Sequence, residues 1–220
     1  MMRISAIGLF LLFAVMPAKG VGNPEQASSV PMTVRLYNYA EVGAVEIESS
    51  RETASRVLEQ AGVRLIWLDC TIIPAGTVPG EPARPSDPGC NQVAGKQTLV
   101  IRVMPARMMQ ADLPKGIFGF AMLSKSDPHA TIANVYFDRI RKISDGRMVR
   151  GGVLLGNMIA HEIGHLLLGT ASHSGDGIMH IPWGPRELRQ ADLIQLGFSP
   201  KQANRMQENV VSRQPRLAAR

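Results

Sequence analysis

Residues 31–39, PMTVRLYNY, alternate apolar and polar positions and are rich in β-branched and aromatic types, which predicts a strand. The period then changes. In EIESSRETASRVLEQA, 46–61, Ile47, Ala54, Val57, Leu58 and Ala61 recur on one face of a helix, and Gly62 supplies a stop. RLIWLDC, 64–70, predicts a second strand, and TLVIRVMP, 98–105, a third that Pro105 ends. Both are near-continuous apolar runs, the pattern of strands covered on both faces, so both are expected in the middle of a sheet. FGFAMLS, 118–124, and TIANVYF, 131–137, predict a fourth and a fifth strand. The opening strand–helix–strand series predicts a right-handed crossover.

Residues 148–168 predict a long helix. Val153, Leu154, Leu155, Met158, Ile159, Ile163, Leu166, Leu167 and Leu168 leave it with hardly a polar side, so it is expected at the centre of the protein. Gly169 is placed to end it in a left-handed turn. One further helix is expected over 185–196. Another starts at Ser199–Pro200, with Ser199 as N-cap, Pro200 as first helical residue and Gln202 closing a capping box. Ala203, Met206 and Val210 form its apolar stripe, and RQPRLAAR, 213–220, is expected to be a flexible tail. With no internal repeat, the pattern describes one domain over 21–212, of α/β (α+β) class.

Composition adds a compartment. The chain has 220 residues, enough for one domain with a real core. Its first twenty, MMRISAIGLFLLFAVMPAKG, join a basic start at Arg3, an apolar run from Ile4 to Val15 and a small-residue site at Ala18 and Gly20. That is the build of a signal peptide, 1–20, with cleavage after Gly20, and the run is too short to span a bilayer comfortably. The protein is therefore expected to be exported, to a periplasm or beyond the cell, with no stable membrane span after cleavage. Two cysteines, Cys70 and Cys90, bracket the Pro- and Gly-rich TIIPAGTVPGEPARPSDPG. In an exported chain they read as a disulfide stapling a long loop, with two buried thiols as the alternative. The formal net charge of +6 is dispersed, and Arg3 and Lys19 of the leader supply two of it. The densest basic group, RIRK at 139–142 with Arg147 and Arg150 behind it, reads as a solvated face. No basic surface interleaved with aromatics is present, which argues against a nucleic-acid partner.

HEIGHLLLGTASHSGDGIMH, 161–180, holds four of the five histidines. Positions i and i+4 of a helix are neighbours, about 5–6 Å apart at Cβ, so His161 and His165 can reach one metal ion. Glu162 lies about 100° round the helix from His161, offset from the ligands and free to act on water. Zinc acidifies a water, and a carboxylate beside it can take the proton as that water attacks a carbonyl. A His-Glu-His set inside a leucine-rich helix is costly unless it is liganded or paired. His173 follows Gly169 at a distance from which a returning loop can supply a third ligand. Glu187, in PRELRQAD, and Asp176 are alternative third ligands. His180 reads as a loop residue and His129, in SDPHA, as a turn residue. No acidic loop motif argues for calcium.

His161-Glu162-x-x-His165, then Gly169, His173 and Met179, resembles the metzincin clan of zinc endopeptidases. That family's motif is HExxHxxGxxH followed by a methionine turn. Here Gly169 comes one residue late and His173 two, as if the helix and the return loop each held one extra residue. The resemblance implies a twisted mixed sheet with an antiparallel edge strand, a central active-site helix and a small helical C-terminal part. It implies Zn2+ on His161, His165 and His173, Glu162 as general base and then acid, and Met179 packed beneath the site without binding the metal. It also implies an extended peptide substrate paired with the edge strand at Gly119, Phe120, Ala121 and Met122. Many members carry a tyrosine shortly after the methionine; the nearby aromatic here is Trp183, read as packing. A thiol latch has no candidate, because both cysteines lie inside the domain. Two other readings stay open: a thermolysin-like gluzincin with Glu187 as third ligand, and a secreted zinc-binding module without catalysis. Glu162 argues against the second, since a purely structural site needs four protein ligands and no base.

Overall fold

The alternating stretch at the start forms strand β1, Met32–Asn38, and the amphipathic stretch after it forms helix α1, Ala44–Gln60. The architecture is a computed structural model describing residues 31–77, 82–109, 114, 116–147 and 149–214. The expected signal peptide and residues 215–220 of the expected tail lie outside them. After α1 come β2, Leu65–Asp69, a short antiparallel pair β3, Ile72–Ile73, and β4, Arg84–Pro85, then β5, Thr98–Met104. Next are β6, Gly119–Ala121, β7, Ile132–Tyr136, and helices α2, Phe137–Arg147, α3, Gly151–Leu168, α4, Pro185–Asp192, and α5, Pro200–Ser212.

The main sheet has the order β2-β1-β5-β7-β6. Its first four strands are mutually parallel and β6 runs antiparallel to β7. Register aligns Val34 with Leu99, Leu36 with Ile101, and Ile101 with Ala133. These alternate positions are fully buried in one core with α1 and α3. β5 is a middle strand, as its pattern predicts. β2 is not: it forms an edge, and Ile66 is 46% exposed. Its apolar run is covered instead by α1 on one side, where Trp67 Nε1 donates to Ser55 Oγ at 2.9 Å. The disulfide loop covers the other side, with Leu68 packed close to Gly89.

That loop is anchored at both ends. Cys70 and Cys90 are bonded, with Cα atoms 5.7 Å apart. Arg35, reaching out of β1, donates to the carbonyls of Gly89 at 3.2 Å and Gln92 at 2.6 Å. Closing a loop of this length removes unfolded-state entropy worth about 3 kcal/mol.

Three other expectations need correction. The long helix begins at Gly151, and the basic stretch before it forms a helix of its own, α2, which the pattern hid because few of its positions are apolar. The helix expected over 185–196 ends at Asp192, since Ile194 takes a left-handed φ of 54° and Leu196 turns into the core. Arg213, expected to fray, is 2% exposed and donates to the carbonyls of Lys96, Ala130 and Leu166. Among the described residues no helix is long and apolar enough to cross a membrane.

The position of α3 depends on two glycines. A Cβ on Gly156 would lie 2.5 Å from Ser50 O and 2.6 Å from Thr53 Cβ, and one on Gly152 would lie 2.7 Å from Glu46 O. The two helices therefore touch backbone to backbone, over the small buried residues Ser50 and Thr53 of α1. Replacing Gly156 with Ala should push them apart and cost about 1–3 kcal/mol. A lower urea midpoint with an unchanged slope is the expected readout.

Candidate metal centre

α3 ends at Gly169, whose φ of 63° and ψ of 31° are left-handed and whose N–H bonds back to His165 O at 3.0 Å. The chain turns there and runs back under the helix. This return supplies two carbonyls. Ile178 O lies 2.7 Å from Nδ1 of His161, and Thr170 O lies 2.7 Å from Nδ1 of His165. A carbonyl oxygen only accepts, so each Nδ1 carries the ring proton and each Nε2 presents a lone pair.

Those lone pairs converge. Nε2 of His165 lies 3.1 Å from Nε2 of His161 and 3.2 Å from Nε2 of His173. The ligand atoms of all three rings fall within 4.8 Å of one another. With both Nδ1 atoms protonated, the Nε2 atoms of His161 and His165 have no proton to share, and their contact is repulsive unless a cation lies between. A tetrahedral ion with N ligands at about 2.0–2.1 Å holds those nitrogens about 3.3 Å apart, close to the spacing found. Three imidazoles suit zinc and its neighbours and do not suit calcium or magnesium. Burial, with the neighbouring His165, pulls His161 down to about 3, and burial first also lowers His165 and His173. All three rings are thus neutral near pH 7, as a metal requires.

Glu162 lies beside this point and is 3% exposed. Burial pushes its carboxyl up to about 8, and its Oε2 has no hydrogen-bond partner among the described residues. A buried carboxyl without a partner is expensive, and a divalent cation nearby would offset much of that cost. Gly119 on β6 makes room for it. A Cβ there would sit 2.7 Å from Glu162 Oε1 and 2.6 Å from Asn134 O. The acid therefore abuts the edge strand directly.

The return loop explains the methionine. Ser174 N donates to Met179 O at 2.9 Å, and Ile178 N donates to Gly197 O at 2.9 Å. Met179 is fully buried under α3, where a Cβ on Gly164 would lie 2.8 Å from its sulfur. It packs against the helix backbone between the two histidine turns and lies outside the ligand cluster. The alternative third ligands are also outside. Glu187 Oε2 accepts from Gly184 N at 2.9 Å and caps α4. Asp176 is exposed on the loop, and its backbone carbonyl accepts from Ser174 Oγ. His180 Nδ1 lies 3.2 Å from Ser174 O, and His129 meets Ser212 at 3.0 Å away from the cluster.

The cluster opens into a cleft of about 210 Å³. Gly119, Phe120 and Ala121 form one wall. β6 is the terminal strand, so its outer backbone edge has no strand partner among the described residues. Met122, expected to extend that edge, is not among the residues lining the cleft, and its N–H, in the same register as the backbone of Phe120, pairs with β7, donating to Ile132 O at 2.9 Å. Met158, Ile181 and Trp183 line the opposite side. Trp183 Nε1 donates to His180 O at 2.7 Å, and its ring stands edge-on to His161 with centroids 6.3 Å apart. The sequence reading missed Met158 as a cleft residue, although its place one turn before Glu162 puts it on the same helix face.

No protein-family model matches this chain, and no curated protein matches it. Solved structures similar to it include the following two. A zinc-dependent peptidase from Methanocorpusculum labreanum shares 21% identity over 79% of this chain and 99% of its own, with a TM-score of 0.49. An archaemetzincin from Methanopyrus kandleri shares 13% identity over 87% of this chain and 99% of its own, with a TM-score of 0.50. With its mixed five-stranded sheet, antiparallel edge and central helix, the chain has a metzincin-like fold.

Proposed function

We propose that the protein is a zinc-dependent endopeptidase. One observation carries the reading: three imidazole nitrogens face a common point beside the buried carboxyl of Glu162, whose Oε2 has no partner among the described residues, along the terminal strand of the sheet. His161, His165 and His173 would hold the ion. Zinc so held supplies a Lewis acid that polarises a peptide carbonyl and acidifies water.

The chain's own groups do the rest. The outer edge of β6 at Gly119 and Ala121, on either side of Phe120, offers backbone donors and acceptors to an extended peptide, which fixes its direction. Glu162 takes the proton of the attacking water as the new C–O bond forms, then delivers it to the amine nitrogen as the C–N bond breaks. The carbonyls of Ile178 and Thr170 keep both ring tautomers fixed throughout. Met179 supports the helix from below. Among the described residues, the ionisable side chains lining the cleft are the three histidines and Glu162.

Export rests on two supports. The Cys70–Cys90 bond is typical of oxidising compartments, and residues 1–20 have the build of a signal peptide. Material recovered from a periplasmic or culture fraction should begin at Val21; full-length protein confined to the cytosol would refute export.

Purified protein should bind one equivalent of Zn2+. Ala at His161 or His165 should abolish binding and Ala at His173 should weaken it, with Glu187→Ala unchanged, as read by metal analysis after dialysis. Loss of metal in Glu187→Ala with retention in His173→Ala would transfer the third ligand. Wild type should cleave an unfolded protein, lose that activity to a chelator and regain it with zinc. Glu162→Gln should keep the metal and lose about 10²–10⁴ of the rate. A zinc-loaded wild type that cleaves nothing in a peptide library would favour a silent binding module.

A further inference from the structure

The basic group RIRK reads in sequence as one solvated face, and the structure divides it. Ile140 is fully buried, and Arg141 makes an exposed pair with Asp138 at 3.0 Å. Arg139 turns toward the cleft. Its Nη1 amino group donates to Pro114 O at 2.8 Å and also to Ile117 O. A third bond from the same stretch, Tyr136 N to Phe118 O, measures 2.7 Å. Three carbonyls on one rim are thus held from the β7–α2 junction.

That rim matters because Gly116, Ile117, Phe118 and Gly119 all line the cleft, while Arg139 does not. The β6–β7 ladder fixes residues 119–121 without help. Upstream of it only Phe118 O continues that ladder among the described residues, and Gly116 carries a left-handed φ of 98°. Arg139 is what ties this approach down. Its guanidinium is a permanent cation with two protons on one nitrogen, matched to two carbonyls.

We propose that Arg139 is a positioning residue for substrate binding, holding the 116–118 rim so that the edge of β6 accepts an extended chain. The proposal rests on the peptidase reading. It assigns Arg139 a part in ground-state binding and none in the bond-breaking step, so KM should change while kcat stays.

The test uses the full protein, zinc-loaded, with an internally quenched peptide cleaved by wild type. Arg139→Met should raise KM about fivefold or more, with kcat within about twofold and zinc content unchanged. Arg139→Lys, which keeps the charge and can reach one carbonyl, should recover part of the loss. Arg141→Met should match wild type, because an exposed pair of that kind contributes little. Amide exchange should quicken over 116–119 in Arg139→Met and not over 161–168. An unchanged KM overturns the proposal. So does a joint fall of kcat and zinc content that Lys does not relieve, which would mark a general folding role. If wild type cleaves no peptide, the peptidase reading fails by itself, and the exchange comparison still decides whether Arg139 holds the rim.

Discussion

Ile178 O and Thr170 O each lie 2.7 Å from a histidine Nδ1, and a carbonyl can do nothing there but accept. That limit fixes the protons on two rings buried in a leucine-rich helix. It leaves the Nε2 lone pairs of His161 and His165 facing each other at 3.1 Å, with Nε2 of His173 3.2 Å from that of His165. Without a cation the contact between the two buried rings is repulsive. With one, the same spacing becomes a coordination shell. Much of the surrounding fold serves to bring the 170–180 loop back to where those two carbonyls can act.

Glycine makes that possible from three directions. Gly152 and Gly156 let α1 meet α3 at backbone contact, and Gly164 lets Met179 and Phe198 meet it from below. Gly119 lets the edge strand approach Glu162. At each point a single Cβ would fall under 3.0 Å from its neighbour. The helix carrying the site is therefore clamped on faces where a larger side chain would shift the ligands by the few tenths of an ångström that metal binding tolerates poorly.

Arginines hold the periphery. Arg35 ties the disulfide loop to β1, and Arg150 joins the start of α3 to the end of α4 through Asp192. Arg213 closes the far end of α3, donating to Leu166 O there and to Ala130 O ahead of β7. Each guanidinium satisfies backbone carbonyls that the ladders and helices leave open, which in an irregular segment is the main route to a defined conformation. The rim at Pro114 and Ile117 is the instance of this that borders the cleft.

The sequence alone determined whatever depends on short spacing. His161, Glu162 and His165 share a helix whose period places two rings together and the acid to one side, and Gly169 ends it because only that residue type enters the left-handed region cheaply. The alternation of β1, the apolar run of β5, the capping box at Ser199 and the pairing of Cys70 with Cys90 were legible for the same reason or because no other partner exists. Tertiary structure decided the rest. Periodicity reports that a position is buried and does not say by what, so β2 read as central although its cover is a loop and a helix. It cannot tell which way an edge N–H points, so the expected run 119–122 did not separate Gly119 and Ala121, which face outward, from Phe120 and Met122, whose backbone pairs with β7. Nor does it distinguish an arginine in water from one bound to distant carbonyls, which is why Arg139 and Arg213 passed as surface and tail. Their partners lie 22 to 117 residues away in the chain, and only the folded backbone brings them within reach.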